Sequence, residues 1–269
     1  MRFLWHCCLG MFICSASMSH TTNQFSWNPP PLHGENCCII VAGGSGSRCG
    51  TEMPKQFCQL GGKPVLLYSM QFFAALPEID KIVVVVSDAY ISEVRTFASS
   101  LALDLPIEVV CGGTRRQDSV LAGLQAAAGS TRVLIHDGAR PFPPPDIPQA
   151  LASMKPETGL VYAMPATDSI KRVGDDNIIL ETVPRQQLWA MQTPQIFPAA
   201  KLADALTECN RRGLEVSDDA SAFEIMGWPV QVFPGTRTNI KITYAEDFIL
   251  AEAILKARKQ TDQENSHNA

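Results

Sequence analysis

Residues 81–86 read KIVVVV, and this run constrains the fold more than any other stretch. A strand with one solvated face alternates apolar and polar residues, whereas an unbroken β-branched run must be covered on both sides. That is the pattern of an interior strand in a parallel sheet. Comparable runs recur at Cys38–Val41, Ile107–Val110 and Arg132–His136. Between them lie segments with helical character: one opened by Lys63-Pro64 and carrying Val65, Leu66, Tyr68, Phe72 and Phe73, then Ile91–Ser99 and Gln117–Ala127. Strands alternating with helices of this length need crossover connections, which predicts an α/β fold with a doubly wound, mostly parallel sheet.

In such sheets ligands sit beyond the carboxyl ends of the strands. The loops after Val41, Val110 and Ile135 therefore share one rim, and each carries a cluster. The first is Ala42, Gly43, Gly44, Ser45, Gly46 and Ser47, a loop without side-chain bulk, followed by Arg48 and by Lys55 behind Pro54. Backbone amides plus a guanidinium and an ammonium outline a triphosphate cradle. A glycine turn with solvated charges is the other reading of this stretch alone. G-x-G-x-x-G fails at Cys49, and the P-loop pattern fails because Lys55 follows proline.

The second cluster, CGGTRRQDSV, has Gly112 and Gly113 for close backbone approach and Ser119 suited to a base or ribose contact. The third, HDGARPF, places Asp137 at a strand end. A triphosphate is handled with Mg²⁺, a hard cation that takes carboxylate, phosphate and water oxygens, so Asp137 is suited to the metal, directly or through water; capping the next turn is the alternative. His136 reads as a packed or hydrogen-bonded residue outside the chemistry.

From Gly159 the texture changes. Ser169–Val173 and Ile178–Val183, joined by the turn GDDN, read as a β-hairpin arm over about 166–186. A two-stranded arm needs something to pack on, and a second copy of the chain is the simplest candidate. Farther on, a helix is expected from Pro198 to Arg211, another capped by Ser217 or Asp218, and a last one over Ala245–Ala257 followed by a frayed tail. Lys241 falls on or beside a strand.

A net charge of −5 argues against a nucleic-acid surface while leaving room for a local basic pocket. The nine cysteines include no C-x-x-C pair and read as reduced, cytoplasmic residues. Residues 1–36 differ in kind: the apolar stretch after Arg2 is interrupted by His6 and too short to span a bilayer. A signal or anchor, a disordered extension, and sequence upstream of a true start near Met18 are the explanations, the last two preferred for a triphosphate-using enzyme. Residues 37–260 are expected to form the folded, functional domain and 261–269 a disordered tail.

Together, AGGSGSRCGTEMPKQF, GGTRRQDSVLAGL, HDGARPF, DSIK, TVPRQQLW, QTPQIF, SDDASAFE and NIKIT resemble, in order, the motifs of the 2-C-methyl-D-erythritol 4-phosphate cytidylyltransferases of isoprenoid precursor synthesis, over roughly Cys38–Lys256. The resemblance implies a Rossmann-like core with a protruding hairpin dimerisation arm, cytoplasmic, using CTP, a polyol phosphate and Mg²⁺ or another divalent cation. It implies that Arg48 and Lys55 stabilise the α-phosphorus while Arg185 and Lys241 position the acceptor. It also implies a nucleotide site at Ala42, Gly43, Gly44, Gly46, Gly113, Ser119, Asp137 and Gly138. Asp137, Ser169 and Thr193 would touch substrate or metal water, with Ser169 and Arg185 reaching a partner's site. Arg115, Gly138 and Ser169 depart from the family's usual acidic residue, alanine and threonine. The related ribitol-5-phosphate cytidylyltransferases and a CTP sensor without catalysis are the alternatives.

Overall fold

The computed structural model describes residues 35–44, 53–101 and 105–267. Strand β1 (Asn36–Val41) leads through the short strands β2 (Gln59–Leu60) and β3 (Lys63–Pro64) into α1 (Val65–Ala74) and β4 (Lys81–Val86). The alternation continues with α2 (Ile91–Ser100), β5 (Ile107–Cys111), α3 (Arg116–Ala126), β6 (Arg132–Asp137), α4 (Ile147–Ser153) and β7 (Gly159–Pro165). The hairpin β8 (Ile170–Val173) and β9 (Ile179–Val183) follows, then β10 (Trp189–Pro198), α5 (Ala199–Arg211), α6 (Asp219–Ile225), β11 (Val230–Pro234) and α7 (Glu246–His267).

Among the described residues, seven strands form the central sheet in the order β11-β7-β10-β6-β1-β4-β5. The pairs β1–β4, β1–β6, β4–β5 and β7–β11 are parallel. Only β10 runs against its neighbours β6 and β7. The continuous apolar runs do what their composition requires. Cys38, Ile40, Ile82, Val84 and Val86 pack on one face against Leu66, Met70 and Phe73 of α1. Cys37, Ile39, Val83 and Val85 face the other way, toward Val120 and Leu124 of α3, Leu202 and Leu206 of α5, and Phe223 of α6. Each fully buried aliphatic side chain contributes about 1.5–3 kcal/mol, which is why these strands tolerate no polar residue.

The adjacent Cys37 and Cys38 thus belong to opposite layers. Burial pushes the Cys37 thiol up to about 12, and Cys38 well up too, so both are protonated apolar residues rather than nucleophiles. Cys111 and Cys209 likewise form no disulfide.

The expected hairpin is present as a separate two-stranded sheet, with Ile170 opposite Val183. Its turn is closed by the Gly174 N–H donating to the Ile178 carbonyl at 2.9 Å, with Asn177 left-handed at φ 61°. Val173, Ile178, Ile179 and Leu180 stay exposed, up to 63% at Leu180. Among the described residues, none covers these four side chains.

Three boundaries differ from the sequence pattern. Asn36 belongs to the sheet rather than the leader, its N–H donating to Asp80 Oδ2 at 2.7 Å and its amide to the Glu78 carbonyl at 2.7 Å. The last helix does not fray after Ala257 but continues to His267, because residues 258–267 hold no glycine or proline to stop it. Arg258 also lies over the Phe142 ring at 4.9 Å. Lys241 lies outside any strand, in the irregular segment before α7. Residues 1–34, with Met18, lie outside the described residues, and no helix among those described is long and apolar enough to cross a membrane.

Helix α3 approaches the sheet closely because position 123 lacks a side chain: a Cβ there would meet Ile39 Cγ2 at 2.5 Å and Val85 Cγ2 at 3.0 Å. Gly123→Val is expected to destabilise the fold by about 2 kcal/mol, roughly 5 °C in the thermal unfolding midpoint. An unchanged midpoint would show that α3 does not need this close approach.

Candidate active site

The parallel strands deliver three loops to one rim. After β1, the Ala42 N–H donates to the Val85 carbonyl at 2.7 Å, and the chain runs on through Gly43 and Gly44. Buried Gln56 braces this loop by donating its amide to the carbonyls of Ala42 at 2.7 Å and Gly44 at 2.9 Å. With those carbonyls engaged, the loop is held open. The next residue, Phe57, stacks on Tyr90 at 4.2 Å and so anchors the segment that carries Lys55.

After β5, Gly112 and Gly113 turn tightly. A Cβ on Gly112 would lie 2.7 Å from Ser119 Oγ, so only glycine fits. The Ser119 hydroxyl accepts from the Gly113 N–H at 3.1 Å and reaches the Arg115 carbonyl at 3.2 Å. Arg115 does not load the pocket with bare charge: its guanidinium donates to Asp118 at 2.6 and 2.9 Å and to Asn210 at 2.8 Å.

Asp137 closes β6, and the reversed strand β10 backs it. Pairing along β10 shifts register between Met191 and Gln195, where the Thr193–Pro194 peptide is cis. In that break Thr193 Oγ1 accepts the Asp137 N–H at 3.0 Å, in place of the missing ladder carbonyl. The same hydroxyl lies 3.2 Å from His136 Nδ1, and His136 Nε2 lies 3.0 Å from the Arg140 carbonyl. Since a carbonyl only accepts, Nε2 carries the proton, Nδ1 accepts from Thr193, and the ring is neutral. Burial draws the His136 pKa down to about 4.

The Asp137 carboxylate sits among three cations: Lys241 Nζ at 2.9 Å and Arg140 Nε at 3.6 Å from Oδ2, and Arg116 Nε at 3.6 Å from Oδ1. Burial alone would raise its pKa; Arg116, Lys241 and Arg140 reverse this and hold it well below the usual carboxylate range. Lys241 is aimed by its neighbours. Ile242 is fully buried among Leu60, Val65, Phe142 and Ala251, and its N–H donates to the Ala139 carbonyl at 2.9 Å. Arg140 completes the stitching by donating to the Asn239 carbonyl at 2.7 Å.

A cavity of about 300 Å³ lies over these loops. Of the residues expected from the sequence, Ala42, Gly43, Gly44, Lys55, Gly113, Ser119, Asp137 and Lys241 line it together. Gly138 packs beneath, where a Cβ would lie 2.9 Å from Ala42 Cβ. Thr193 is buried behind Asp137, its hydroxyl engaged with protein rather than facing the cavity. Ser169 and Arg185 lie at the base of the arm and do not line their own chain's cavity; Arg185 is exposed and donates to the Thr167 carbonyl. Gly46 and Arg48 lie outside the described residues.

Sequence reasoning missed Gln56, Arg116, Arg140 and Asn239 as site residues. Each stands inside a quoted motif, yet nothing in the string says that Gln56 braces a loop or that Arg116, rather than Arg115, turns toward Asp137.

Among the described residues no group of three or more His, Cys, Asp or Glu is placed to hold a metal. The donor set, one ionised carboxylate in a cationic pocket, fits a hard cation arriving with a triphosphate rather than a protein-built cage.

The family model for 2-C-methyl-D-erythritol 4-phosphate cytidylyltransferase matches residues 36–257. Curated relatives of that name include the protein from Halalkalibacterium halodurans, 38% identical over 84% of this chain and 99% of its own length, and that from Azoarcus sp., 40% identical over 86% and 99%. A solved 4-diphosphocytidyl-2C-methyl-D-erythritol synthase from Anaerococcus prevotii superposes with a TM-score of 0.73 at 29% identity, covering 83% of this chain and 99% of that one. A 2-C-methyl-D-erythritol 4-phosphate cytidylyltransferase from Francisella tularensis gives 0.68 at 29% identity, covering 82% and 100%.

The neutral, buried His136 has a consequence for stability. The unfolded imidazole takes up its proton near pH 6.5, the folded one only near 4. Between those values the unfolded state binds more protons, so stability falls as the pH is lowered, by about 3 kcal/mol in all. Asp137, with its depressed pKa, adds its own loss only as the pH falls through and below 3.8. Urea denaturation of metal-free protein at several pH values across the His136 window checks this; a flat profile there would contradict it.

Proposed function

The chain belongs to the 2-C-methyl-D-erythritol 4-phosphate cytidylyltransferase family, and on that premise we propose that the cavity over Asp137 is where CTP meets its phosphorylated acceptor. The enzyme is a nucleotidyltransferase: it moves CMP from CTP to 2-C-methyl-D-erythritol 4-phosphate, releasing pyrophosphate, in isoprenoid precursor synthesis. One observation carries the placement of this chemistry. Lys55 from the glycine-loop side, Asp137 from a strand end and Lys241 from the segment before α7 converge on a single cavity with two glycine turns.

An acceptor phosphate oxygen attacks the α-phosphorus in line as the bond to pyrophosphate breaks. The nucleophile is already ionised, so no general base is required. The barrier is the repulsion between a phosphate monoester and a triphosphate, and preorganised cations in a desolvated pocket lower it. In this reading Lys55, with Arg48, faces the charge developing at phosphorus, and Lys241 holds the acceptor phosphate. The glycine-loop amides take phosphate oxygens, and Gly113 and Ser119 border the cytidine. Asp137 would hold Mg²⁺, directly or through water, and the ion would neutralise phosphate charge.

Ser169 and Arg185 are assigned to the partner's site in a homodimer. The support is the arm itself: exposed apolar side chains on a two-stranded hairpin, and two acceptor-side residues that do not line their own cavity. A cytoplasmic location, with CTP at hand, is supported by the free cysteines.

Lys55→Ala is expected to lower turnover by roughly two to three orders of magnitude with little change in thermal midpoint. Pyrophosphate release with CTP and methylerythritol phosphate reads this out; near-normal turnover removes Lys55 from the mechanism, and preference for ribitol 5-phosphate reverses the acceptor assignment.

Subunit mixing tests the arm. Lys55→Ala and Arg185→Ala are each expected to be nearly inactive alone. Co-refolded in equal amounts, they should regain about a quarter of wild-type activity, since half the dimers are mixed and each of those carries one intact site. No recovery in dimers verified as mixed would place Arg185 in its own subunit's chemistry.

A further inference from the structure

Arg116 opens α3 at the cavity wall, and beyond its part in keeping Asp137 ionised none of the roles above uses it. Its guanidinium is fixed from behind: Nη2 donates at 2.8 Å to Oδ2 of Asp219, a carboxylate with no solvent exposure in the first turn of α6. Asp219 is itself held by backbone, its N–H and that of Ala220 both donating at 3.1 Å to Oε1 of Gln195 on β10. Burial raises the Asp219 pKa, and Arg116 is the neighbour that works hardest against it.

As a device for holding the fold together this pair is poorly made. A guanidinium and a carboxylate that exist only for each other close in a two-pronged contact that satisfies both oxygens. Here Asp219 Oδ1 is buried without a hydrogen-bond partner among the described residues, while the Arg116 side chain keeps 28% exposure and lines the cavity. Desolvating a carboxylate and leaving one oxygen unanswered is costly unless it secures something else. On its other side Arg116 Nε stands 3.6 Å from Asp137 Oδ1, too far for a hydrogen bond. The cation is thus tethered at one end and offered at the other, between the Gly112-Gly113 turn and Asp137.

Resting on the reading of the cavity as the nucleotide site, we propose that Arg116 donates to the α-phosphate of the bound nucleotide and that Asp219 is the positioning residue that aims it. A guanidinium there extends the cationic rim to the nucleoside side of Asp137, opposite Lys241. Asp219 keeps Arg116 from collapsing onto Asp137, which would otherwise draw it into a full ion pair and close the site to phosphate.

The test compares two probes that differ only in the phosphate. CMP and cytidine are titrated by NMR into wild-type protein, Arg116→Lys and Asp219→Asn. Expected are a loss of CMP affinity of about tenfold in Arg116→Lys and about fivefold in Asp219→Asn, with cytidine affinity within twofold of wild type in both. A purely structural role would instead lower the thermal midpoint and weaken both probes alike. Equal loss for cytidine and CMP, or wild-type CMP affinity in Arg116→Lys, overturns the proposal. If Asp219→Asn does not fold, the Arg116→Lys comparison decides alone. Absence of turnover in the wild-type protein would strike the transferase reading, and the difference between the two probes would remain interpretable.

Discussion

A single buried carboxylate, Asp137, kept ionised by cations from three separate stretches, is the interaction on which the rest of the site depends. Lys241 at 2.9 Å and Arg116 and Arg140 at 3.6 Å come from the segment before α7, the start of α3 and the turn after β6. None of these elements is adjacent in sequence to both of the others. Their meeting is a product of the mostly parallel sheet, whose parallel strands release their loops at the same edge. Without the negative charge at the centre, three cations in a half-buried space would repel one another; without the cations, the carboxylate would take a proton.

Much of this was legible in the string of residues. The KIVVVV run required a strand covered on both faces, and β4 has helices against both. The glycine clusters after Val41 and Val110 and the aspartate after His136 required a common rim, and Gly43, Gly44, Gly113 and Asp137 line one cavity. The hairpin around Gly174–Asn177 was legible because its turn residues are the kind that accept a positive φ.

What was not legible is mostly what depends on direction rather than composition. Arg115 and Arg116 are neighbours of the same type, yet one is tied off by Asp118 and Asn210 and the other turns to Asp137 and Asp219. Helical periodicity at a helix start does not distinguish them. Gln56 acts through the carbonyls of a loop twelve or more residues earlier. The hydroxyl of Thr193 is engaged with backbone and His136, a role set by a break in strand pairing that no residue pattern announces. The helix end at His267 departs for a different reason: chain termini tend to fray, but residues 258–267 hold no glycine or proline to stop the helix.

The lone reversed strand, β10, has a mechanical consequence. Its first residues, Trp189–Met191, pair with β7 where the arm rejoins the body, and from Gln195 onward it is clamped between β6 and β7. The same strand backs Asp137 through Thr193 and seats Asp219 through Gln195. Hairpin, carboxylate and guanidinium anchor are therefore linked through one strand. A displacement at the base of the arm has a covalent route along β10 to Thr193 and Gln195, and so to the floor of the chemistry.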